Sequence, residues 1–334
     1  MKSISDVALL AGVSKTTVSH VINHPERVTK VLRELVESAI KELGYQPSPF
    51  AQNLRTGKKN LLALIVPDIT NSFFSELVQT IQEIASAEGY ELLFYNTDVL
   101  QTSTPDRVQS FIKLMSPKRF DGVIISGEMC DGGETLLEHL GVTGAYIGYL
   151  SKPILDNVFL DDFQAAYQAT KRLIDKGHTR IAHLSGDQRY HSGSERLRGY
   201  KKALRDHKLD QPAELTFHGS FLRPSGREGM RYFWGLKTRP TAVFIGNALM
   251  TFGAMSTAVD LGWRVPEDIA VVSFDETEEM HDVRPRLTTI SYNPRVVGKI
   301  AIELLLSRIQ GMAPKEVRSI EAPFQLISGD SDGT

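Results

Sequence analysis

Apolar residues near the start of the chain recur at the spacing of one helix face. In the first segment they lie at i, i+3, i+4 and i+7, as Ile4, Val7, Ala8 and Ala11. Ser3 is placed to cap this helix, and Gly12 is placed to end it. Ser14 can cap a second helix, whose apolar side consists of Val18, Val21 and Ile22. Two short helices with a glycine-containing turn between them predict a helix-turn-helix.

Two further helical segments complete the first 60 residues. A third helix is predicted from about Lys30 to Leu43, with Thr29 as its cap and Gly44 as its stop. Residues 47–57 form a short segment with Pro47 at its start and a glycine at its end, which is typical of a short helix. The first 60 residues are therefore expected to be all α-helical and to end in a short hinge.

The hydrophobic period changes at Leu61, where continuous apolar runs begin to alternate with helical spacing. The run LLALIVP at 61–67 suits a strand that is buried on both faces, and a helix follows from about Phe73 to Gly89. The alternation continues through predicted helices at 105–115 and 134–140 to a last strand at about 319–324. It predicts an α/β body of two doubly wound parallel sheets, and hence two subdomains with a cleft between them.

Open parallel sheets bind ligands beyond the carboxyl ends of their strands. Applied to this chain, that rule selects Asp68 to Phe74, Asp98, Asp161, residues 189–196, Phe221, Asn247 and Asp275. Their aromatic, carboxylate, amide and guanidinium groups suit a sugar or polyol, because ring faces stack while hydroxyls need convergent donors and acceptors.

The outer face of the second helix carries the chemistry expected of a DNA reader. Lys15, Thr16 and His20 project to one side and are predicted to contact base edges in the major groove. Short neutral side chains suit phosphate contacts, and those in this region are Ser14, Thr17, Ser19 and Asn23. We also place Thr29 in the DNA-binding set. The alternative, for these two helices alone, is an ordinary helical hairpin on a protein surface.

The order DVA-x-x-AGVS-x-x-TVS-x-V-x-N, followed by ELGYxP and the hinge segment, resembles the LacI family of bacterial transcription regulators. The resemblance covers the whole chain and is most specific in its first 57 residues. The recognition helix, KTTVSHVIN, is similar to those of the ribose and purine repressors of that family. Membership would imply a dimer on a palindromic operator and a body similar to periplasmic sugar-binding proteins, whose chain crosses between subdomains three times. Those crossings are expected near Asp161, at 289–292 and near Phe324.

In that family a hinge leucine wedges the central base step of the operator in the minor groove, and by position this leucine is Leu54. An apolar wedge of this kind unstacks the step and bends the duplex. The alternative is that Leu54 packs on its own domain. One departure is Ala51-Gln52, where many members have Ala-Arg.

The resemblance also implies a set of effector-binding residues in the cleft: Asn71, Phe73, Phe74, Asp161, Arg196, Phe221, Asn247 and Asp275. Asn247 matches the first residue of an N-D pair, but Ala248 replaces the aspartate, so any role of that aspartate is absent. Other roles stay open: Phe73 and Phe74 as core, Arg196 as a surface ion pair, Asp275 as a turn cap and Asp161 as a hinge hydrogen-bonding group.

Charge is distributed unevenly along the 334 residues, although the net charge is only −2. Residues 1–60 contain nine Lys/Arg and five Asp/Glu, a net +4, whereas the rest contains 29 and 35, a net −6. This distribution is expected if the N-terminal region alone meets phosphate. A single cysteine, Cys130, excludes an intrachain disulfide. We find no signal peptide and no apolar run of membrane-spanning length, and therefore expect a cytoplasmic protein.

Signatures of the common enzyme classes are missing from the sequence. It contains no G-x-x-x-x-G-K-[ST], G-x-G-x-x-G, H-E-x-x-H or G-x-S-x-G. The nine histidines show no ligand-like pairing, so we expect no metal, no cofactor and no enzymatic activity.

These observations predict a sequence-specific DNA-binding regulator, a repressor, that binds its operator as a homodimer under the control of a sugar or polyol, with a nucleobase as second choice. The expected domains are a helix-turn-helix at 1–46, a hinge at 47–60 and an effector-binding domain at 61–334. The last divides into an N-subdomain, about 61–161 plus 291–323, and a C-subdomain, about 162–290 plus 324–330. The alternative is a sugar-binding solute receptor without DNA binding, which should carry an export signal and lack the helix-turn-helix.

Overall fold

The computed structural model describes residues 3–45, 59–96, 119–127, 138–139, 141–152 and 154–333. The chain divides into two compact units, residues 1–59 and 60–334. Several predicted features lie outside the described residues: the hinge segment with Leu54, Asp98, the helix at 105–115, Cys130 and most of the helix at 134–140.

The first unit is the predicted helix-turn-helix followed by a third helix. Its helices are α1 (Ile4–Ala11), α2 (Lys15–Asn23) and α3 (Lys30–Leu43). Ser3 and Asp6 form a reciprocal capping box at the start of α1, and Gly12 ends the helix at φ 64°, a left-handed conformation that favours glycine. The apolar faces meet in one small core of Val7, Ala8, Val18, Val21, Val36 and Ala39. The three helices predicted for residues 3–45 are confirmed.

The second unit contains two sheets, and helices alternate with the strands along the chain. Its strands are β1 (Leu61–Val66), β2 (Glu91–Asn96), β3 (Gly122–Ser126), β4 (Gly144–Ile147), β5 (Asp156–Phe159), β6 (Ile181–Ser185), β7 (Thr216–His218), β8 (Ala242–Ile245), β9 (Ala270–Phe274), β10 (Thr288–Tyr292), β11 (Ser319–Glu321) and β12 (Phe324–Ile327). Its helices are α4 (Ser72–Ala87), α5 (Asp162–Asp175), α6 (His191–Asp206), α7 (Arg223–Gly235), α8 (Ala248–Asp260) and α9 (Pro294–Ile309).

Within the described residues each sheet has six strands. The first runs β11-β5-β4-β3-β1-β2 and the second β12-β10-β9-β8-β6-β7. Central strands such as β3 and β8 are buried along their whole length, which explains their unbroken apolar sequences. The two doubly wound parallel sheets confirm the predicted fold class.

The end of the chain differs from its prediction. The single strand expected at 319–324 is two strands, because β11 pairs parallel with β5 in the first sheet and β12 pairs antiparallel with β10 in the second. After β12, Ser331 and Asp332 are fully buried. The Ser331 hydroxyl donates to the Val271 carbonyl at 2.7 Å, and the Thr288 hydroxyl donates to the Asp332 carboxylate at 2.7 Å. These last residues therefore belong to the second sheet's core.

Within the described residues, the chain passes from one sheet to the other three times. The passages lie between β5 and α5, between β10 and α9, and between β11 and β12. Helix α9 packs on α4 and on strands β3, β4 and β5, whereas α5 packs on α6, β9 and β10. We call the part built on the first sheet the N-subdomain and the part built on the second sheet the C-subdomain.

Candidate functional site

Helix α2 presents opposite faces to the core and to solvent. Val18 and Val21 are buried, while Lys15, Thr16 and His20 are exposed, as a reading helix requires. The Ser14 hydroxyl accepts the Thr17 N–H at 3.0 Å and lies 2.9 Å from the Thr17 hydroxyl. Two of the predicted phosphate contacts are thus also the helix cap.

The remaining predicted DNA contacts are less fully defined. Ser19 is half-buried on α2, and Thr29 is the exposed residue before α3, where its side chain makes no capping hydrogen bond. The side chain of Asn23 lies outside the described residues, as does Leu54.

A cavity of about 190 Å³ lies between the two subdomains of the second unit, at the carboxyl ends of strands from both sheets. It brings together seven of the eight residues predicted to bind an effector: Asn71, Phe73, Phe74, Arg196, Phe221, Asn247 and Asp275. Further lining residues include Asp68, Ser126, Tyr149, Asp162, Tyr190, His191, Ser192 and Ser220. Aromatic rings and polar groups therefore line the same cavity.

Asp161 does not line the cavity. Its carboxylate accepts the Gln164 N–H at 2.9 Å and caps α5, so the structure does not bring Asp161 together with the other seven predicted residues. The neighbouring Asp162 lines the cavity instead and is buried. The sequence of a strand-to-helix loop with two successive aspartates does not reveal which of them caps the helix and which faces the cavity.

Arg196 forms the polar floor of the cavity. From α6 it donates through Nε to the Asp162 carboxylate at 2.8 Å and through Nη1 to the Gly246 carbonyl at 2.5 Å. Its guanidinium carbon lies 3.5 Å from the centre of the Phe274 ring. Since Arg196 is only 7% exposed, it is a buried, paired cation rather than a surface ion pair.

Asp275 follows β9 and has φ 66°, a left-handed conformation that is uncommon for a residue with a side chain. Burial raises the pKa of its carboxyl above the ordinary value, while the Arg196 charge and the Ala248 N–H act in the opposite direction. The carboxyl therefore lies within the field of Arg196 and close to the start of α8.

The start of α4 contributes an aromatic wall. The Asn71 side chain accepts the Phe73 N–H at 3.1 Å and caps the helix. The rings of Phe73 and Phe74 meet edge to face, with centroids 5.3 Å apart. Phe73 is 8% exposed, and it belongs to the core and also lines the cavity.

Two contacts join the subdomains beside the cavity, and sequence reasoning did not find them. The rings of Tyr149 and His191 stack with centroids 3.7 Å apart and planes 4° apart. The Ser72 hydroxyl donates to the Glu279 carboxylate at 2.6 Å. The two residues of each pair are far apart in sequence, so no local sequence pattern predicts the contact.

The described part of the chain contains no group of three or more His, Cys, Asp or Glu that could hold a metal ion. Within the same residues, no helix is both long enough and apolar enough to cross a bilayer.

Comparison with known proteins bears on both units. Residues 3–48 match the family model "Bacterial regulatory proteins, lacI family", and residues 170–331 match a periplasmic binding protein-like domain. The HTH-type transcriptional repressor PurR of Mannheimia succiniciproducens is 34% identical over 313 residues, which cover 92% of each chain. The protein of the same name from Vibrio vulnificus is 36% identical over 317 residues, which cover 93% of this chain and 92% of the relative. The chain belongs to the lacI family of bacterial regulatory proteins.

Two solved structures are similar to this chain along nearly its whole length. The lac repressor dimer bound to operator and the anti-inducer ONPF is 26% identical, with a TM-score of 0.83, and covers 100% of this chain and 99% of its own. The transcriptional regulator CelR in complex with cellobiose is 28% identical, with a TM-score of 0.74, and covers 99% and 100%.

The protein is a DNA-binding transcriptional repressor with a small-molecule effector. The alternative of a solute receptor without DNA binding is not favoured, because the helix-turn-helix is present and the matched relatives are repressors.

Proposed function

We propose that the protein represses transcription as a cytoplasmic homodimer on a palindromic operator, and that a sugar or polyol bound between its subdomains controls this binding. The single observation that supports the proposal most directly is that one chain combines a helix-turn-helix with an aromatic and polar cavity between two sheets. The cavity is proposed to bind and release its effector unchanged.

Lys15, Thr16 and His20 are proposed to read bases, because they are exposed on the outer face of α2. Ser14, Thr17, Ser19, Asn23 and Thr29 are proposed to contact the DNA around them. Two such helices in a symmetric dimer would meet two half-sites of a palindrome. We expect an A/T-flanked operator with a central CG step, which Leu54 would wedge open from the hinge at 47–60.

For the effector we favour a sugar or polyol over a nucleobase. Flat apolar ring faces would meet the rings of Phe74 and Phe221, and hydroxyls would meet Asp275, Asn71 and Ser192. The similarity to CelR, whose solved complex contains cellobiose, supports the same class. The paired aromatic walls would also accept the planar ring of a nucleobase, which is the second candidate.

Effector binding is proposed to change the relative position of the two subdomains. The hinge at 47–60 leads into β1 of the N-subdomain, so movement of two N-subdomains in a dimer would order or release the paired hinges. Because such coupling is reciprocal, operator DNA must change the effector's affinity by the same factor.

The experiment is a fluorescence anisotropy titration of the full chain with a palindromic operator and with a scrambled duplex, at one stated salt concentration. A panel of sugars, polyols and purines is then added to the operator complex. We expect preference for the operator and a change in its affinity with one sugar or polyol. Equal affinity for both duplexes would contradict the DNA-reading proposal. A response only to purines would show that the effector is a nucleobase compound and not a sugar or polyol.

A further inference from the structure

Phe221 holds a backbone conformation that its side chain does not favour. It lies in the loop between β7 and α7 with φ 64°, in the left-handed region, where a bulky residue other than glycine is an outlier. Such a conformation persists only where neighbouring groups determine it. The contacts of the Phe221 backbone and ring therefore show what fixes this wall of the cavity.

Asn247 makes the contact to the backbone. Its Nδ2 donates to the Phe221 carbonyl at 2.9 Å, and its Oδ1 accepts the Met250 N–H at 3.0 Å, which caps α8. The side chain is thus bonded at both ends of its amide, and Asn247 is only 4% exposed. An asparagine bonded in this way joins the start of α8 to the loop that carries Phe221.

Gly186 contacts the ring of Phe221. A Cβ atom at this position would lie 1.9 Å from Cζ of Phe221, so the ring rests on the bare backbone of the glycine. From there its centre is 5.8 Å from the Arg196 guanidinium carbon and 6.3 Å from the Tyr190 ring centre. The ring therefore faces the cavity beside the polar floor.

We propose that Asn247 is a positioning residue, which holds the Phe221 ring as a wall of the cavity through the hydrogen bond to the Phe221 carbonyl. This replaces the expectation that the Asn247 amide itself binds the effector. The effector meets the ring of Phe221, and Asn247 acts through that ring. The inference rests on the proposed function in one respect, since the position of the ring matters to regulation only if the cavity receives an effector.

The substitution Asn247→Ser separates the two bonds of the amide. Serine is a good N-cap and keeps an acceptor for the Met250 N–H, but its hydroxyl is too short to reach the Phe221 carbonyl. Asn247→Asp is the second variant, because it preserves shape and cap while replacing the donor by an acceptor. Asn293→Ser is the matched control, since Asn293 caps α9 by accepting the Arg295 N–H at 2.9 Å.

The measurement is ¹⁹F NMR of the full chain labelled with 4-fluorophenylalanine. The chain has 15 phenylalanines, and the Phe221 signal is identified by its loss in Phe221→Leu. We expect Asn247→Ser and Asn247→Asp to move this signal toward that of the free amino acid, while Asn293→Ser leaves it in place. A Phe221 signal unchanged in both Asn247 variants would overturn the proposal. A general movement of all signals would also overturn it, because Asn247 would then be only a structural cap.

The NMR experiment contains neither DNA nor effector, so its outcome is independent of the proposed function. Failure of the operator titration would leave the coupling between Asn247 and Phe221 intact. An unchanged Phe221 signal would leave the repressor assignment intact.

Discussion

His183 in β6 is fully buried between two aromatic rings. Its ring stacks on Tyr200 and Phe244 with centroids 4.9 and 4.7 Å away, and its Nδ1 lies 3.0 Å from the Phe244 carbonyl oxygen. Burial lowers the pKa of His183 from 6.5 to about 3. The folded protein therefore keeps this ring neutral at pH values where the unfolded chain would protonate it.

The stability of the protein should consequently depend on pH through His183. The folded pKa is below the unfolded value, so the unfolded state binds the extra proton, and stability falls as pH decreases below about 6.5. Between pH 7.5 and 5.0, wild type should lose about 2 kcal/mol more than His183→Phe in its free energy of unfolding. Urea titrations of both proteins at both pH values measure this difference. Equal pH dependence would show that His183 does not carry the effect.

At the residue scale, the sequence indicates which residue types line the cavity better than it indicates which residues they contact. Arg196 and Asp275 lie in segments that follow strands at the cleft edge, which predicts their place in the cavity, and the cavity contains both. The partner of Arg196 is Asp162, a residue far away in sequence, and the amide of Asn247 is bonded within the protein. Such pairings depend on tertiary packing, which a single sequence does not display.

At the scale of elements, a buried carboxylate joins β5, α9 and β11. Asp156 in β5 accepts the Arg308 Nε at 3.1 Å from α9, and it accepts the backbone N–H of Arg318, next to β11, at 2.8 Å. Burial alone would raise the pKa of Asp156, but hydrogen bonds from Arg318 and Arg308 hold it below the ordinary value. The carboxylate is therefore charged and fully paired in the folded state.

Removing this charge should destabilise the N-subdomain. Asp156→Asn leaves two half-buried guanidinium groups, those of Arg308 and Arg318, without their carboxylate. We expect a loss of about 3 kcal/mol in the free energy of unfolding. The control Asp175→Asn removes the exposed partner of Lys171 and should cost about 0.5 kcal/mol or less. Chemical denaturation of the three proteins compares them. Similar losses in both variants would contradict a special role for Asp156.

The recognition helix gives a second prediction at this scale. Lys15→Ala should weaken binding at one operator base pair by about 1–3 kcal/mol, because a lysine at the start of α2 is expected to contact a base edge. Lys41→Ala removes the same charge from an exposed position on α3, and it should change the affinity for all operator sequences by the same amount. Fluorescence anisotropy with operators substituted at each base position measures the loss of affinity at that position. A Lys15→Ala loss that is uniform over all positions would assign Lys15 to phosphate instead.

Elements were predictable where the pattern was local. The 3.6-residue spacing in α1 and α4 and the apolar run of β1 indicated type and position correctly. The sequence predicts one strand in place of β11 and β12, because the residues of a strand do not indicate to which sheet it belongs. Pro323 between them was the available signal, since proline interrupts a ladder of hydrogen bonds.

At the scale of the whole molecule, the net positive charge and the cavity lie in different units. Residues 1–60 carry a net +4 and the rest a net −6, so attraction to DNA belongs to the helix-turn-helix unit. The cavity belongs to the second unit, between sheets that the described residues connect three times. Connections of this kind permit small relative movements of the subdomains, which is the motion proposed above for control by the effector.

The most direct test of effector control is to measure the operator affinity of wild type and of Phe221→Ala, each with and without the compound selected from the panel. In wild type the compound should change the operator dissociation constant by about 5- to 150-fold, the usual range for coupled sites. Phe221→Ala should bind operator with the wild-type affinity in the absence of the compound and should need a higher concentration of it to respond. An equal response of both proteins would contradict control through the cavity, as would operator affinity unchanged by every compound in wild type.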